Sequence, residues 1–414
     1  MVAVKNLFPY DLAVAAILKN EGRYLKEWLD YHLLAGVDHF YLYDNDSTDN
    51  YKEIIAPYVE AGLVTSKFFP GKKMQLEAYD EAVNNYRFLC RRMAFIDLDE
   101  FIFPKDTAGT INEKVDDILK DFPEAAGLCA HWQCFGSNGQ DKADYSRGVL
   151  ERFTRRAKKD FIIKTEDGND FEPCRGMGNM FFKSIVNPRR IKSMNLHFAY
   201  CFEGNYTVDE NGECSSDAFG MSPIFAEKIV VNHYFTKSRE EFNLKRARGR
   251  GYSGGKWPED YFNSYDRNEI FDDGILKYRA ARAKNFFLES DAEKFSRAAE
   301  VLTKTLTAYA DGKIFDLETA LTCRAVSNFL NLKVHEEASL AAILKSLDGL
   351  KFFEVQLLLR ELPNLLTLPY PAVKELLGAS IKIVSRATEL MREKTFWKEF
   401  SEWNYLRRLL QTWQ

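Results

Sequence analysis

The run Ala94-Phe95-Ile96-Asp97-Leu98-Asp99-Glu100-Phe101-Ile102-Phe103 constrains this chain more than any other stretch. Aromatic and branched residues on both sides suit a buried pleated strand, yet three carboxylates interrupt them. An unpaired buried charge is heavily penalised, so Asp97, Asp99 and Glu100 belong at a strand's carboxyl end, opening onto a cleft. Read as one extended segment, period two puts Asp97 and Asp99 on the same side, where both could face one divalent ion. The same period turns Glu100 to the opposite, structural side. An Asp-x-Asp triplet arises readily by chance, so its surroundings have to decide.

Residues 12–18 form a continuous apolar run, suited to a strand covered on both faces. Lys19-Asn20-Glu21-Gly22 breaks it, and residues 24–34 follow with helical period in Leu25, Trp28, Leu29, His32 and Leu33. Residues 39–43 read as a second strand, ending in Asp44-Asn45-Asp46-Ser47-Thr48-Asp49-Asn50. That cluster offers turn residues and N-caps for a helix over 51–61, which Pro57 should kink or split. Residues 63–69 make a third strand, and a helix over 75–89 leads back to the acidic stretch as the fourth. This order predicts an α/β fold with a doubly wound, mostly parallel sheet. Ligands of such sheets bind outside the strands' carboxyl ends, where both acidic clusters fall. Further strands are expected over 128–133, 179–186 and 229–235, and a helix over 111–122. Ser238 with Glu241 makes a capping box for a helix ending at Gly249.

No Gly-x-Gly-x-x-Gly follows the first strand and no Gly-Lys-Ser/Thr loop occurs, which disfavours a dinucleotide oxidoreductase or a glycine phosphate loop. A nucleotide site built from acidic loops needs a metal to meet a diphosphate, since carboxylates repel phosphate. A net charge of −4 gives no electrostatic case for nucleic acid. Seven cysteines with no C-x-x-C pair, and no zinc-like spacing with the six histidines, read as thiols in a reducing compartment. The N-terminus lacks an apolar leader and no run approaches the length of a membrane span, so the expected location is cytoplasmic.

Several blocks, in order, resemble glycosyltransferase family 92 and its family-2-like bacterial relatives. They are Lys19-Asn20-Glu21, Tyr41 to Asp49, Ile96-Asp97-Leu98-Asp99-Glu100-Phe101, Trp132 with Phe135-Gly136-Ser137, Lys183 to Val186 with Pro188, His197, and His233-Tyr234 followed by Lys237-Ser238, Glu241-Phe242, Lys245 and Gly249. The resemblance implies a GT-A (Rossmann-like) domain over 1–270 and sugar transfer, with inversion, from a nucleotide-diphosphate sugar such as a UDP-sugar. The acceptor would be a glycan or a lipid-linked glycan. It places Asn20, Glu21 and Asp44 at the nucleotide, with Asp44 accepting from the base. Asp97 is expected at the ribose and metal shell, Asp99 on a divalent metal (Mn²⁺ or Mg²⁺), and His233 as a third ligand. Lys237, Lys245 and Arg248 could assist the diphosphate, Lys237 foremost, although a solvated helix face suits Lys245 and Arg246 better. Trp132 is a candidate acceptor platform, with core packing the alternative. Asp217, Glu203, Asp170 and His197 are candidate general bases, Asp217 foremost. One departure stands out: Arg92 lies where the family carries a tryptophan.

Residues 271–414 match no named pattern and read as a C-terminal all-helical domain, with helices over 291–311, 316–333, 338–347, 353–362, 372–389 and 392–413. The last carries an apolar stripe of Phe396, Phe400, Trp403, Leu406, Leu410 and Trp413. It suits packing on its neighbours, or else a peripheral contact with the membrane's inner face. Two rival functions share the acidic pattern: a sugar-nucleotide pyrophosphorylase, which would want a glycine-rich phosphate loop, and a non-catalytic sugar-nucleotide-binding scaffold.

Overall fold

In a computed structural model, which describes residue 8 and residues 10–60, 62–105, 109–163, 178–214, 223–253 and 255–285, the first apolar run becomes an inner strand. Leu12 to Ala16 are fully buried, as a strand covered on both faces requires. Of the two compact units into which the chain divides, one comprises residues 12–87, 92–286 and 412–414, and it is the unit described below. Of the expected helical domain over 271–414, the part from residue 286 onward lies outside the described residues, with all six helices proposed for it.

The chain runs β1 (Tyr10–Leu18), α1 (Gly22–Leu34), β2 (His39–Asp44), α2 (Tyr51–Glu60), β3 (Val64–Phe68), α3 (Gln75–Tyr86), β4 (Cys90–Phe95), β5 (Glu100–Pro104), α4 (Ile111–Leu119) and β6 (Ala125–Cys134). It continues through α5 (Val149–Arg152), β7 (Arg155–Arg156), a 3₁₀ turn at Gly178–Met180, β8 (Phe182–Val186), β9 (Ile191–Met194), β10 (Ala199–Cys201) and β11 (Tyr206–Val208). The last described elements are β12 (Ile229–His233), α6 (Arg239–Arg248), α7 (Tyr261–Tyr265), β13 (Ile270–Phe271) and α8 (Gly274–Asn285). Pro57 does not split α2, which runs on through it to Glu60, although the helix lacks the N–H that would have bonded the Glu53 carbonyl.

The main sheet has the order β3-β2-β1-β4-β8-β6-β12-β5, with β11 beside β6. β1–β2, β2–β3, β6–β12 and β6–β11 are parallel. β4–β8, β6–β8 and β5–β12 are antiparallel. The sheet is therefore mixed, which corrects the expected mostly parallel, doubly wound sheet. Periodicity locates strands but carries no information on their direction.

A second correction concerns the acidic stretch, which is not one strand. β4 ends at Phe95 and β5 begins at Glu100, with a turn between them. The turn is held by Glu100 N–H donating to the Asp97 carbonyl at 3.1 Å and by Asp97 N–H donating to Glu100 Oε2 at 2.8 Å. β5 then crosses to the far end of the sheet order, where α1 covers it. Trp28 Nε1 donates to the Glu100 carbonyl and Tyr31 Oη to the Ile102 carbonyl, both at 2.8 Å. His32 Nε2 accepts from Ile102 N–H at 3.3 Å. The edge that would otherwise be open is thus satisfied by side chains. Arg92, where a tryptophan was expected, pairs with Asp116 of α4 at 2.7 Å and with Asn112 at 3.0 Å.

The expected capping box starts α6. Ser238 N–H donates to Glu241 Oε2 at 3.0 Å, and Glu241 N–H to Ser238 Oγ at 3.3 Å. The same carboxylate receives Arg152 in a buried fork at 2.9 and 2.7 Å, and Tyr24 Oη at 3.0 Å. Burial alone would raise the Glu241 carboxyl, but Arg152 and Ser238 outweigh it and hold it down at about 2. A depressed carboxyl stabilises the fold above its ordinary range near 4.5, and that contribution is lost as pH falls toward 2. Replacing Arg152 by Met leaves this charge buried and unpaired, so urea denaturation at pH 7 should show a loss of about 3–5 kcal/mol. The loss should shrink at pH 4, where the orphaned carboxyl can protonate; an equal loss at both values would contradict this account.

Candidate active site

Strand register assembles the site. β12 sets His233 opposite Glu100 of β5 and beside Cys134 of β6, and Tyr234 N–H donates to the Asp99 carbonyl at 2.8 Å. The acidic turn therefore lies against the carboxyl end of β12. Asp99 is buried and ion-paired with Lys245, with His233 Nε2 at 3.6 Å and Lys237 Nζ at 3.9 Å. Burial would raise the Asp99 carboxyl, but Lys245, Lys237 and His233 together hold it well below the carboxylate range. Burial lowers His233 and pulls Lys237 down to about 8. Lys245 is not on a solvated face: α6 presents Glu241, Lys245 and Arg248 on one side at helical spacing, and the Lys245 ammonium lies 3.9 Å from the Phe235 ring centroid. Arg246 behaves as expected of a surface residue, bonding the Trp257 carbonyl at 2.9 Å.

Asp97 is the more open of the pair, its side chain 35% exposed against 6% for Asp99. It accepts from Gln75 Nε2 at 2.8 Å, Tyr79 Oη at 3.3 Å and Lys183 Nζ at 3.0 Å. Lys183 also lies 3.4 Å from Glu100 Oε2. Burial pushes Glu100 up to about 8, with Asp97 and Asp99 adding to the effect. Burial alone would lower the Lys183 ammonium, but Asp97 and Glu100 outweigh it and hold it above its ordinary value. Sequence reasoning gave Lys183 no role. Its signals were its place in one of the family-like blocks and a lone ammonium inside the apolar run Phe181-Phe182-Lys183-Ser184-Ile185-Val186.

Beside the turn lies a cleft of about 280 Å³ lined by Asn20, Glu21, Tyr24, Lys237, Lys245 and Arg248, among others. The expected nucleotide residues Asn20 and Glu21 thus stand with both expected lysines. Arg248 donates to Glu21 and to the Lys19 carbonyl, each at 3.0 Å. The Lys19-Asn20-Glu21 loop is stitched to the loop after β2: Asn20 N–H donates to Ser47 Oγ at 3.0 Å, Thr48 N–H to Asn20 Oδ1 at 2.7 Å, and Gly22 N–H to Asp49 Oδ2 at 2.8 Å. Asn20 and Lys237 both take left-handed backbone angles, φ +53° and +50°, a strain that clusters at functional sites. The Lys237 ammonium lies 4.7 Å from the Tyr24 ring centroid.

Other expected residues stand elsewhere. Asp44 is fully buried and spent within its own loop, accepting from Tyr51 Oη at 2.6 Å and Ser47 N–H at 2.9 Å. That engagement does not leave it facing a nucleotide base; the exposed carboxylate of the loop's apex is Asp46, at φ +62°. Trp132 is buried among the rings of His233 at 4.2 Å, Phe181 at 5.0 Å and His197 at 5.2 Å. This is core packing, not an open platform. His197 does neighbour the site, but its Nδ1 donates to the Phe182 carbonyl at 2.9 Å. Burial, with Lys183 nearby, holds the imidazole down at about 3, which makes it a poor proton acceptor at neutral pH. Glu203 is exposed on the turn after β10. Asp217 and Asp170 lie outside the described residues.

The acidic turn, its lysines and the cleft residues named above fall within, or one residue beyond, a single stretch: residues 15–247 match the model of glycosyltransferase family 92. The chain belongs to that family. A glycosyltransferase family 92 protein of Ricinus communis is 27% identical over 240 residues, 57% of this chain and 37% of that protein. One of Oryza sativa subsp. japonica is 30% identical over 264 residues, 62% of this chain and 39% of that protein. A galactan beta-1,4-galactosyltransferase of Arabidopsis thaliana is 26% identical over 121 residues, 25% of this chain and 23% of that protein. The chain thus spans about two fifths of the first two relatives, or less. All three are plant proteins, not the bacterial-type relatives named from sequence.

Lys183→Met removes the ammonium shared by Asp97 and Glu100. Urea denaturation should show a loss of about 3–5 kcal/mol. A carboxyl raised in the folded state favours folding below about 4.5 and loses that contribution as pH rises toward 8. The deficit of the variant should therefore be larger at pH 8 than at pH 5; a deficit independent of pH would contradict the shared-ammonium account.

Proposed function

We propose that the chain is a GT-A glycosyltransferase that moves a sugar, with inversion, from a nucleotide-diphosphate sugar, most simply a UDP-sugar, to a glycan or lipid-linked acceptor. The observation that carries this reading is one cleft in which Lys237, Lys245 and Arg248 stand beside the Asp97–Asp99 turn. The ammoniums and guanidinium would bind the diphosphate and offset the charge that builds on it as the sugar leaves. Partly open Asp97 would meet ribose hydroxyls, with Lys183 and Gln75 fixing its orientation. Asp46, an exposed aspartate at the apex of the loop after β2, is a better candidate for the base than Asp44. The galactan transferase among the relatives makes galactose a donor sugar worth trying first.

The donor chemistry at the turn suits a hard divalent ion such as Mn²⁺: two carboxylates and one imidazole, whose Nδ1 is buried and has no hydrogen-bond partner. Among the described residues, no three His, Cys, Asp or Glu side chains stand arranged to hold an ion, and Asp99 is engaged by Lys245. Asp99, Asp97 and His233 supply suitable atoms, but to hold the ion they would have to draw together and Asp99 would have to leave Lys245. Bound there, the ion would act as a Lewis acid on the diphosphate.

Thermal-shift titration with UDP, GDP, CMP and dTDP, each in Mn²⁺, Mg²⁺ or EDTA, tests this reading. One nucleotide should raise the melting temperature in metal by several degrees, with the shift falling at least tenfold in affinity in EDTA and in Asp99→Ala. Binding indifferent to both would refute the metal mechanism; binding of none would refute the enzyme reading. Among the described residues no helix is long and apolar enough to cross a membrane. A peripheral contact, a lipid-linked acceptor and a cytoplasmic inner-face location remain parts of this proposal.

A further inference from the structure

We infer that Tyr24 is a positioning residue: the face of its ring holds the Lys237 ammonium in the cleft with its N–H groups free for the diphosphate. Sequence reasoning gave Tyr24 no role. The role rests on the glycosyltransferase reading above, to which it adds a side chain that acts through another.

Tyr24 and Lys237 both line the cleft. The other two cations assigned there are already engaged: Lys245 is ion-paired with Asp99, and Arg248 donates to Glu21 at 3.0 Å. Lys237 differs. Asp99 lies 3.9 Å from its Nζ, outside hydrogen-bond range, and already receives Lys245. The Tyr24 ring centroid lies 4.7 Å from the same ammonium. A cation within about 6 Å of a ring face is drawn to it by the ring's quadrupole, the more so when desolvated, and Lys237 is only 5% exposed. Burial works against the charge of Lys237, and the ring offsets part of that cost. It does so without occupying any of the three N–H donors of the lysine, which a carboxylate partner would take.

The ring itself is fixed. Tyr24 sits in the first turn of α1, where its N–H donates to the Glu21 carbonyl at 3.0 Å. Its Oη donates to Glu241 Oε1 at 3.0 Å, on the carboxylate that Arg152 grips and that closes the capping box with Ser238. Ser238 follows Lys237 directly. Ring and ammonium therefore hang from one carboxylate, Tyr24 through its hydroxyl and Lys237 through the next residue. The Lys237 backbone, at φ +50°, takes a left-handed conformation that non-glycine residues seldom adopt. A free lysine stem would lose rotamer entropy on meeting a ligand. Held on the ring, the ammonium is prearranged, as stabilising a developing charge requires.

Calorimetric titration of UDP in Mn²⁺ into the full chain tests this role. Tyr24→Leu, which removes the ring, should weaken binding about tenfold, and Tyr24→Phe, which keeps it, should recover the wild-type affinity. Lys237→Met should cost at least as much as Tyr24→Leu. The two together should cost no more than Lys237→Met alone, because the ring acts only through the ammonium. Tyr24→Met takes the place of the leucine variant if that one does not fold. Unchanged affinity in Tyr24→Leu or Lys237→Met, or an equal loss in Tyr24→Phe, would overturn the role. Losses that add in the double variant would also overturn it, making the ring a direct contact or a purely structural one. Failure of the wild type to bind UDP would count instead against the glycosyltransferase reading.

Discussion

The structure depends on how it buries the charge of one turn. Asp97, Asp99 and Glu100 crowd into four residues at the heart of a mixed sheet, and burying even one carboxylate unpaired would be prohibitive. Three ammoniums from two other parts of the chain make it tolerable. Lys183, from β8, serves Asp97 and Glu100, while Lys245 and Lys237 serve Asp99. An antiparallel β8 between β4 and β6 places Lys183 beside the turn that leaves β4.

The same economy makes the site reactive in kind. A carboxylate surrounded by two lysines and a buried imidazole is a place where cations already converge, so a diphosphate bound as proposed would meet positive charge that is prearranged. The loops around it are held by one another. The loop after β1 and the loop after β2 share a set of hydrogen bonds through Asn20, Ser47, Thr48 and Asp49. Strained backbone at Asn20 and Lys237 is maintained by this surrounding network and by the Ser238–Glu241–Arg152 cluster next to Lys237.

Much of this was legible in residue order. The apolar run of β1, the helical period of α1, the turn cluster after β2 and the capping box of α6 all appear where local chemistry placed them. Four of the six residues named for the nucleotide, Asn20, Glu21, Lys237 and Lys245, converge on one cleft, while Asp44 and Asp97 do not line it. Asp44 and Trp132 illustrate the opposite outcome. Each has the right chemistry for binding, but neighbours distant in space or folded back locally consume it: Tyr51 and Ser47 for Asp44, and three rings for Trp132.

Local sequence, then, determined where strands and helices begin, which residues carry charge, and the family to which the ordered blocks belong. Tertiary structure alone decided that the acidic stretch is a turn between two strands and that Lys183 and Lys245 neutralise it. The reason is physical. Propensity and periodicity act over a few residues, whereas a buried charge selects whatever partner the chain can bring within about 4 Å. Lys183 is 86 positions from Asp97, and Lys245 is 146 positions from Asp99.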